Sequence, residues 1–169
     1  MSSVIQLKSL PFSSPRTYVS AAAFIVANIL FPQLFHAVPQ GGMIWLPIYF
    51  FTLIGSYIYG WRVGLLTALA SPLLSSLIFG MPAAAALPAI TVKSALLAAA
   101  AGYAAYRFGR ATVAVLLCVV LSYQVAGTLV EWAIMGDFAL ACSDFRIGVP
   151  GMLLQIFGGY AVLRRVGDR

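Results

Sequence analysis

Charged residues are scarce in this sequence. Asp, Glu, Lys and Arg make up 8% of its 169 residues, and only four residues are acidic and one is His. An ordinary soluble domain carries about 25% charged residues, so the composition excludes a water-soluble globular protein. Hydrophobic residues make up 62% of the chain, and the mean hydropathy is +0.98. These values predict an integral membrane protein.

The sequence also has no signature of a metal, nucleotide or catalytic centre. Cys118 falls in an apolar run and Cys142 in a loop, too far apart for a disulfide, and neither belongs to a CxxC or His/Cys cluster. The chain has no glycine-rich phosphate loop, no GxSxG and no HExxH. We therefore expect no metal, no cofactor and no ATP hydrolysis by this chain itself.

The apolar runs predict an all-α membrane protein, a bundle of six transmembrane helices. The third run, Trp61 to Pro82, has a Ser71-Pro72 break and ends at Gly80-Met81-Pro82. A proline inside a span is tolerated where neighbouring helices or hydroxyls satisfy the freed carbonyl, so this run belongs inside a bundle. The predicted organisation is an interfacial lead-in at 1–16 and one transmembrane domain at 17–165, with spans at about 17–35, 43–59, 63–79, 88–106, 111–135 and 147–163.

The basic residues predict the orientation of the bundle. With six spans, eight Lys and Arg residues fall on the side of the two termini and one falls on the opposite side. They are Lys8, Arg16, Arg62, Arg107, Arg110, Arg164, Arg165 and Arg169, against Arg146. The positive-inside rule then puts both termini in the cytoplasm, with the bundle in the cytoplasmic (inner) membrane and in contact with its lipids. Because these residues stand singly at span ends, the net charge of +6 indicates no nucleic-acid partner.

Polar side chains in the outer halves of the last spans predict a binding chamber. Lys93 and Glu131 come at comparable depth, about 6 to 8 Å below the outer boundary, and Gln124, Thr128 and Glu131 share one helix face through i, i+4, i+7 spacing. We expect an outward-opening polar chamber, closed below by apolar packing. The candidate substrate-binding residues are Lys93, Glu131, Gln124, Thr128, Gln155, Trp132, Tyr49 and His36. The rings of Trp132 and Tyr49 are able to stack on a ring of the ligand.

Each of these residues also has a purely structural interpretation. Lys93 and Glu131 are able to form a pair that only relieves the cost of burying charge in hydrocarbon, or a pair that also contacts ligand. Gln124 and Gln155 are often interhelical hydrogen-bond partners in membrane bundles. His36, alone near a span boundary, is more typical of an interfacial residue than of a metal ligand.

Small residues form two helix faces that favour close packing. Ala23 and Ala27 form one in the first span, and Ala95, Ala99 and Gly102 form another in the fourth. Such faces let helix backbones approach closely in lipid. They serve either internal packing or, where they point outward, docking of a partner membrane protein.

Four segments together resemble a known family. They are Gln40-Gly41-Gly42, Leu46-Pro47-Ile48, SPLLSSLIFGMP at 71–82 and LPAITVKSALLAAAAGYAAY at 87–106. With the six-span, N-in/C-in organisation, they resemble the substrate-binding S components of energy-coupling factor (ECF) vitamin transporters, nearest to the cobalamin-type branch. The resemblance covers Tyr18 to Arg165, and the first and last spans match only in general character.

The resemblance implies a high-affinity receptor for a vitamin or vitamin precursor. Its pocket would be built by helices four to six and covered by the loops between helices one and two and between three and four. Transport would be powered by two ATPase subunits through a transmembrane coupling protein, onto which the face of Ala23 and Ala27 would dock. The family carries Glu more often than Lys near position 93, which hints at an acidic group on the substrate or at a swap of charge partners with Glu131.

The sequence leaves three classes of function open. The first is the S subunit, with cobalamin or a precursor, pantothenate or another small carboxylated vitamin as substrate. The second is a membrane-embedded enzyme that uses Lys93, Glu131 and His36 as acid and base groups. The third is a membrane assembly protein with no ligand, in which the polar residues only join helices.

Overall fold

The computed structural model describes the backbone of residues 3–4, 8–35, 39 and 41–167, and the side chains from residue 8 onward within these ranges, apart from Asp144. The fold of this part is almost entirely helical. The α-helices are α1 (Pro15–Leu30), α2 (Gly41–Trp45), α3 (Phe50–Tyr59), α4 (Trp61–Phe79), α5 (Leu87–Phe108), α6 (Val113–Met135), α7 (Phe138–Ala141), α8 (Ser143–Ile147), α9 (Val149–Leu153) and α10 (Gly159–Gly167). Shorter 3-10 turns cover Phe31–Phe35, Pro47–Tyr49 and Ala84–Ala86, a π-helical turn covers Leu154–Gly158, and β1 (Ser3–Val4) pairs antiparallel with β2 (Arg110–Ala111).

Four helical segments of the described chain are long and apolar enough to cross a membrane. They are Pro15–Phe35, Trp61–Phe79, Ala84–Phe108 and Val113–Met135. A fifth is present if Phe138–Ile147 and Val149–Gly167, which meet at an angle of 52°, count as one bent span. The protein is therefore a helical protein of membrane-embedded character. Both ends of the first, second and fourth segments lie within two residues of the predicted first, third and fifth spans, and the same holds for α5 and the predicted fourth span.

The predicted second span, 43–59, is not one continuous helix. Leu46 has a left-handed backbone, with φ of 45°, and Pro47 follows it at the start of a 3-10 turn. Proline lacks an N–H and disfavours helical geometry in the preceding residue, so the helix breaks at this point. Only the 10 residues of α3 remain as a regular helix, whereas a helix that spans the bilayer needs about 20 residues.

The predicted sixth span, 147–163, also differs from the observed chain. Its helix begins at Val149, after Gly148, and continues to Gly167. The π-helical turn Leu154–Gly158 interrupts it in the middle. Such turns are rare and occur frequently at functional sites, so the residues of this turn are relevant to the site described below.

One end of the bundle collects the basic residues, and we call it the basic end. The backbone N–H of Lys8 donates to the carbonyl of Ile58 at 2.8 Å, and that of Leu10 to Tyr59 at 3.2 Å, so the lead-in covers the end of α3. Strand β1 pairs with β2 between α5 and α6, and α10 contacts both strands. The basic side chains that come together here are Lys8, Arg16, Arg62, Arg107, Arg110, Arg164 and Arg165.

Small residues of α5 bring α4 and α5 into close contact. A Cβ atom on Gly102 would lie 2.7 Å from the backbone nitrogen of Trp61, so only glycine fits at this position. Ala98 and Ala101 are fully buried on the same helix. Of the predicted small-residue face, only Gly102 makes this contact, because Ala95 is half-buried and Ala99 is exposed.

Pro72 lies inside α4 without ending the helix. Two serines near it connect α4 to its surroundings: Ser71 accepts a hydrogen bond from the side chain of Asn28 at 3.3 Å, and Ser75 donates to the carbonyl of Met81 at 2.7 Å. The first bond joins α4 to α1. The second holds the segment that follows α4 against the helix, and this segment forms part of the wall described next.

Candidate ligand-binding site

A cavity of about 590 Å³ opens at the end of the bundle opposite the basic end, which we call the cavity end. Four parts of the chain contribute lining residues: the described residues between α1 and Tyr49, the segment 81–86 with the first turn of α5, the last turns of α6, and the pair α7 and α8. The lining residues are Pro32, Pro39, Gly41, Gly42, Met43, Leu46, Pro47, Ile48, Tyr49, Met81, Pro82, Ala83, Ala86, Ala89, Ile90, Glu131, Met135, Leu140 and Ser143. Glu131 is the one charged residue among them.

Lys93 and Glu131 form a buried ion pair at the base of this cavity. Nζ of Lys93 on α5 lies 2.5 Å from Oε2 of Glu131 on α6. The Lys93 side chain is 1% exposed, whereas that of Glu131 is 11% exposed. Glu131 contributes to the cavity wall and Lys93 does not. The pairing expected from their equal depth is therefore present, with the carboxylate on the cavity side and the ammonium group behind it.

Gly127 allows Lys93 to reach this position, and the sequence interpretation did not include it. A Cβ atom on Gly127 would collide with Cγ of Lys93, so the aliphatic part of the lysine lies directly against the α6 backbone. Gly127 is fully helical and lies four residues before Glu131 on the same helix face. An isolated glycine inside a long apolar helix usually has a packing reason, and this was the signal available in the sequence.

Three further buried polar residues lie on the two helices of the pair and do not line the cavity. Gln124 and Thr128 lie on the Glu131 face of α6, as their spacing predicted, and Ser94 follows Lys93 on α5. Both amide atoms of Gln124, Oγ1 of Thr128 and Oγ of Ser94 lack a hydrogen-bond partner within the described protein. A buried polar group without a partner costs about 1–3 kcal/mol. These helix faces therefore carry hydrogen-bonding capacity that the described protein leaves unused.

Gln155 is connected to the cavity through two tyrosines. The hydroxyl of Tyr123 on α6 donates to Oε1 of Gln155 at 3.0 Å, and the rings of Tyr123 and Tyr49 lie 5.5 Å apart between centroids. Tyr49 in turn lines the cavity. Gln155 is fully buried and belongs to the π-helical turn. The predicted residues Tyr49 and Gln155 are thus linked, but only Tyr49 faces the cavity.

The remaining predicted residues lie elsewhere. Trp132 is 45% exposed and packs edge-on against Phe138, with 5.3 Å between ring centroids, so it is not part of the cavity wall. His36 lies outside the described residues. In α1, Ala23 is exposed and Ala27 is half-buried, so this small-residue face lies on the outer surface of the described bundle.

The wall of the cavity differs from the polar chamber that the sequence predicted. Most of its lining is Pro, Gly, Ala, Met, Leu and Ile, with Tyr49, Ser143 and Glu131 as its polar members. The polar residues of α5 and α6 lie beneath this wall, and the segments that cover them are apolar. The site therefore combines an apolar body with a polar base, which is the usual composition of a small-molecule pocket.

No group of three or more His, Cys, Asp or Glu side chains able to hold a metal ion occurs in the part of the chain that the structure describes. Comparison of this protein with protein-family models, with curated proteins and with solved structures finds no match.

Proposed function

We propose that this protein is the substrate-binding subunit of an ECF-type uptake transporter, and that it binds a vitamin or vitamin precursor in the cavity that Tyr49 and Glu131 help to line. The observation that carries the proposal is a cavity of about 590 Å³ with a buried ion pair at its base. Pockets for small molecules occupy about 300–1,000 Å³ and are mostly apolar, with a few polar groups that orient the ligand. The resemblance of the sequence to S components supports the same function.

The positions of the helix ends support six crossings with both termini in the cytoplasm. α1, α4 and α6 lead from the basic end to the cavity end, whereas α3, α5 and α10 lead back. In this topology α2 and the 3-10 turn complete the second crossing, and α9 with the π-helical turn completes the sixth. Because Lys and Arg accumulate on the cytoplasmic side of membrane proteins, the basic end faces the cytoplasm and the cavity opens outward.

Uptake needs partners, because the sequence carries no nucleotide-binding motif. We propose a transmembrane coupling protein and two ATPase subunits as these partners. The docking surface is the exposed face of α1 around Ala23 and Ala27, where small side chains permit close approach of a second helix. Most of α1 lies on the outside of the described bundle, with 11% of its span buried.

The two alternative functions have less support. In a membrane-embedded enzyme, Lys93 would act on a substrate as an acid or base, but its ammonium group lies behind Glu131 and outside the cavity wall. A ligand-free assembly role does not account for a cavity of this size at the end of the bundle. The receptor function is therefore the one that we propose.

Native mass spectrometry of the purified protein tests the proposal directly. We expect one small molecule to be released from the protein, and expect thermal unfolding in detergent to shift upward when that molecule is added back. Absence of any bound compound, together with no thermal shift across a panel of water-soluble vitamins and precursors, would contradict the receptor. Turnover of an added compound to a product would favour the enzyme instead.

A further inference from the structure

The ion pair presents its negative side to the cavity. Glu131 contributes to the wall, whereas Lys93 is 1% exposed and does not. Oε2 of Glu131, which pairs with Lys93, is itself buried, so the carboxylate oxygen left for a group on a bound ligand is Oε1. An ionised carboxylate only accepts hydrogen bonds, and its two oxygens offer about four acceptor sites, so the bond to Lys93 does not exhaust it.

The rest of the wall opposes a net charge on the ligand. Glu131 is already neutralised by Lys93, and the described lining contains no second charged residue. A ligand carboxylate would face Glu131, and like charges disfavour each other in a poorly solvated site. A ligand ammonium group would leave the pair with one unbalanced positive charge against an apolar wall.

We infer that the ligand is uncharged where it meets Glu131 and presents an N–H or O–H donor there, such as an amide or a hydroxyl, on an apolar or aromatic body. This inference rests on the proposed receptor function and names the chemical class of its substrate. This ligand class differs from the acidic group that the sequence suggested, because Glu131 lines the cavity and Lys93 does not.

Matched triads of compounds test this inference on the intact wild-type protein. Nicotinic acid, nicotinamide and 3-picolylamine share one ring and differ in carrying an acid, an amide or an amine, and pantothenate with panthenol forms a second acid and alcohol comparison. We expect the neutral member of a set to bind at least about tenfold more tightly than its charged counterparts, measured by thermal shift and calorimetry. The compound released in native mass spectrometry is expected to be neutral at its polar end.

Two outcomes would overturn the inference in different ways. Tighter binding of an acid or an amine, or release of a compound with a carboxylate as its only polar end, would overturn the ligand class and leave the receptor standing. Failure of every probe, with no compound released from the purified protein, would overturn the receptor itself, and the ligand class with it.

A substitution that should reverse the preference for neutral over acidic probes provides a second, independent measurement. Glu131→Gln removes the negative charge from the wall and leaves Lys93 positive behind it, so we expect the neutral probe to weaken about tenfold and the acid probe to become the preferred one. Asp137→Asn is the control, because Asp137 is an exposed acid near the same end and its side chain caps α7 through Leu140 at 3.0 Å. Unchanged preference in Glu131→Gln would overturn the inference. If this variant does not fold, the wild-type triads decide alone.

Discussion

Lys93 and Glu131 belong to different helices, and their charged atoms lie 2.5 Å apart at the base of the cavity. The lysine is almost completely buried, whereas the carboxylate belongs to the cavity wall. The pair therefore joins α5 to α6 and also offers a hydrogen-bond acceptor to a ligand. Substitutions are able to separate these two roles. Joining the helices needs only side chains that pack between α5 and α6, whereas accepting a hydrogen bond from a ligand needs the carboxylate.

Breaking and replacing the pair separates the two roles. Lys93→Met leaves Glu131 unpaired, and removing one partner of a buried pair costs about 3–5 kcal/mol, whereas replacement of both charges by apolar side chains is often close to neutral. We expect Lys93→Met to lower the thermal stability in detergent strongly, and the double variant Lys93→Met/Glu131→Leu to recover most of it. Ligand binding is expected to be lost in both. Recovery of binding in the double variant would show that the carboxylate does not contact the ligand.

The contact between Lys93 and Gly127 predicts a strong effect of a side chain at position 127. Gly127→Leu puts its side chain where the aliphatic part of Lys93 now lies. Overpacking of this kind costs about 1–3 kcal/mol, and displacement of Lys93 adds to the cost. We expect a large drop in the unfolding temperature and weaker ligand binding. Ala133→Leu, at an exposed position of the same helix, is the control and is expected to leave both quantities unchanged.

Two neighbouring alanines test whether the cavity is the binding site. Ala86 lines the cavity, whereas Ala85 is exposed and does not. Ala86→Phe fills part of the cavity, so we expect ligand affinity to fall at least about tenfold, equivalent to about 1.4 kcal/mol, with little change in stability without ligand. Ala85→Phe is expected to bind normally. Equal affinities for the two variants would move the binding site elsewhere.

Cysteine labelling tests which end of the bundle faces the cytoplasm. In a background of Cys118→Ser and Cys142→Ser, Ala139→Cys introduces a thiol in α7 at the cavity end and Arg107→Cys introduces one at the basic end. Both positions are exposed. An impermeant maleimide added to intact cells is expected to label the first variant only, and to label the second after permeabilisation. The reverse pattern would invert the proposed topology.

The exposed face of α1 predicts a variant that binds ligand without transporting it. Ala23→Trp places a bulky ring on this face, so we expect ligand affinity to be retained while uptake in cells that carry the partner subunits is abolished. Ala133→Trp is the matched control, because it adds the same side chain at an exposed alanine of α6. Loss of uptake in both variants, or in neither, would remove the argument for docking through α1.

The uninterrupted helices and their shared faces were predictable from the sequence. Apolar runs define where a helix is able to cross a membrane, and the i, i+4, i+7 spacing of Gln124, Thr128 and Glu131 is a property of one helix alone. The equal depth of Lys93 and Glu131 followed from the same count of residues, and the structure confirms that they pair. The break in the second span carried a local signal in Leu46-Pro47, which the hydrophobicity of the run concealed.

The sequence by itself determined the helical, membrane-embedded character of this protein and the residues that form its ion pair, since composition and helical periodicity are local properties. Only the tertiary structure decided that Lys93 lies behind Glu131, that Gly127 accommodates it, and that apolar connecting segments form most of the cavity wall. It also decided that Trp132 points away from the cavity. These features depend on which helices pack together and on the path of the chain between them, and neither property is encoded by the spacing within one helix.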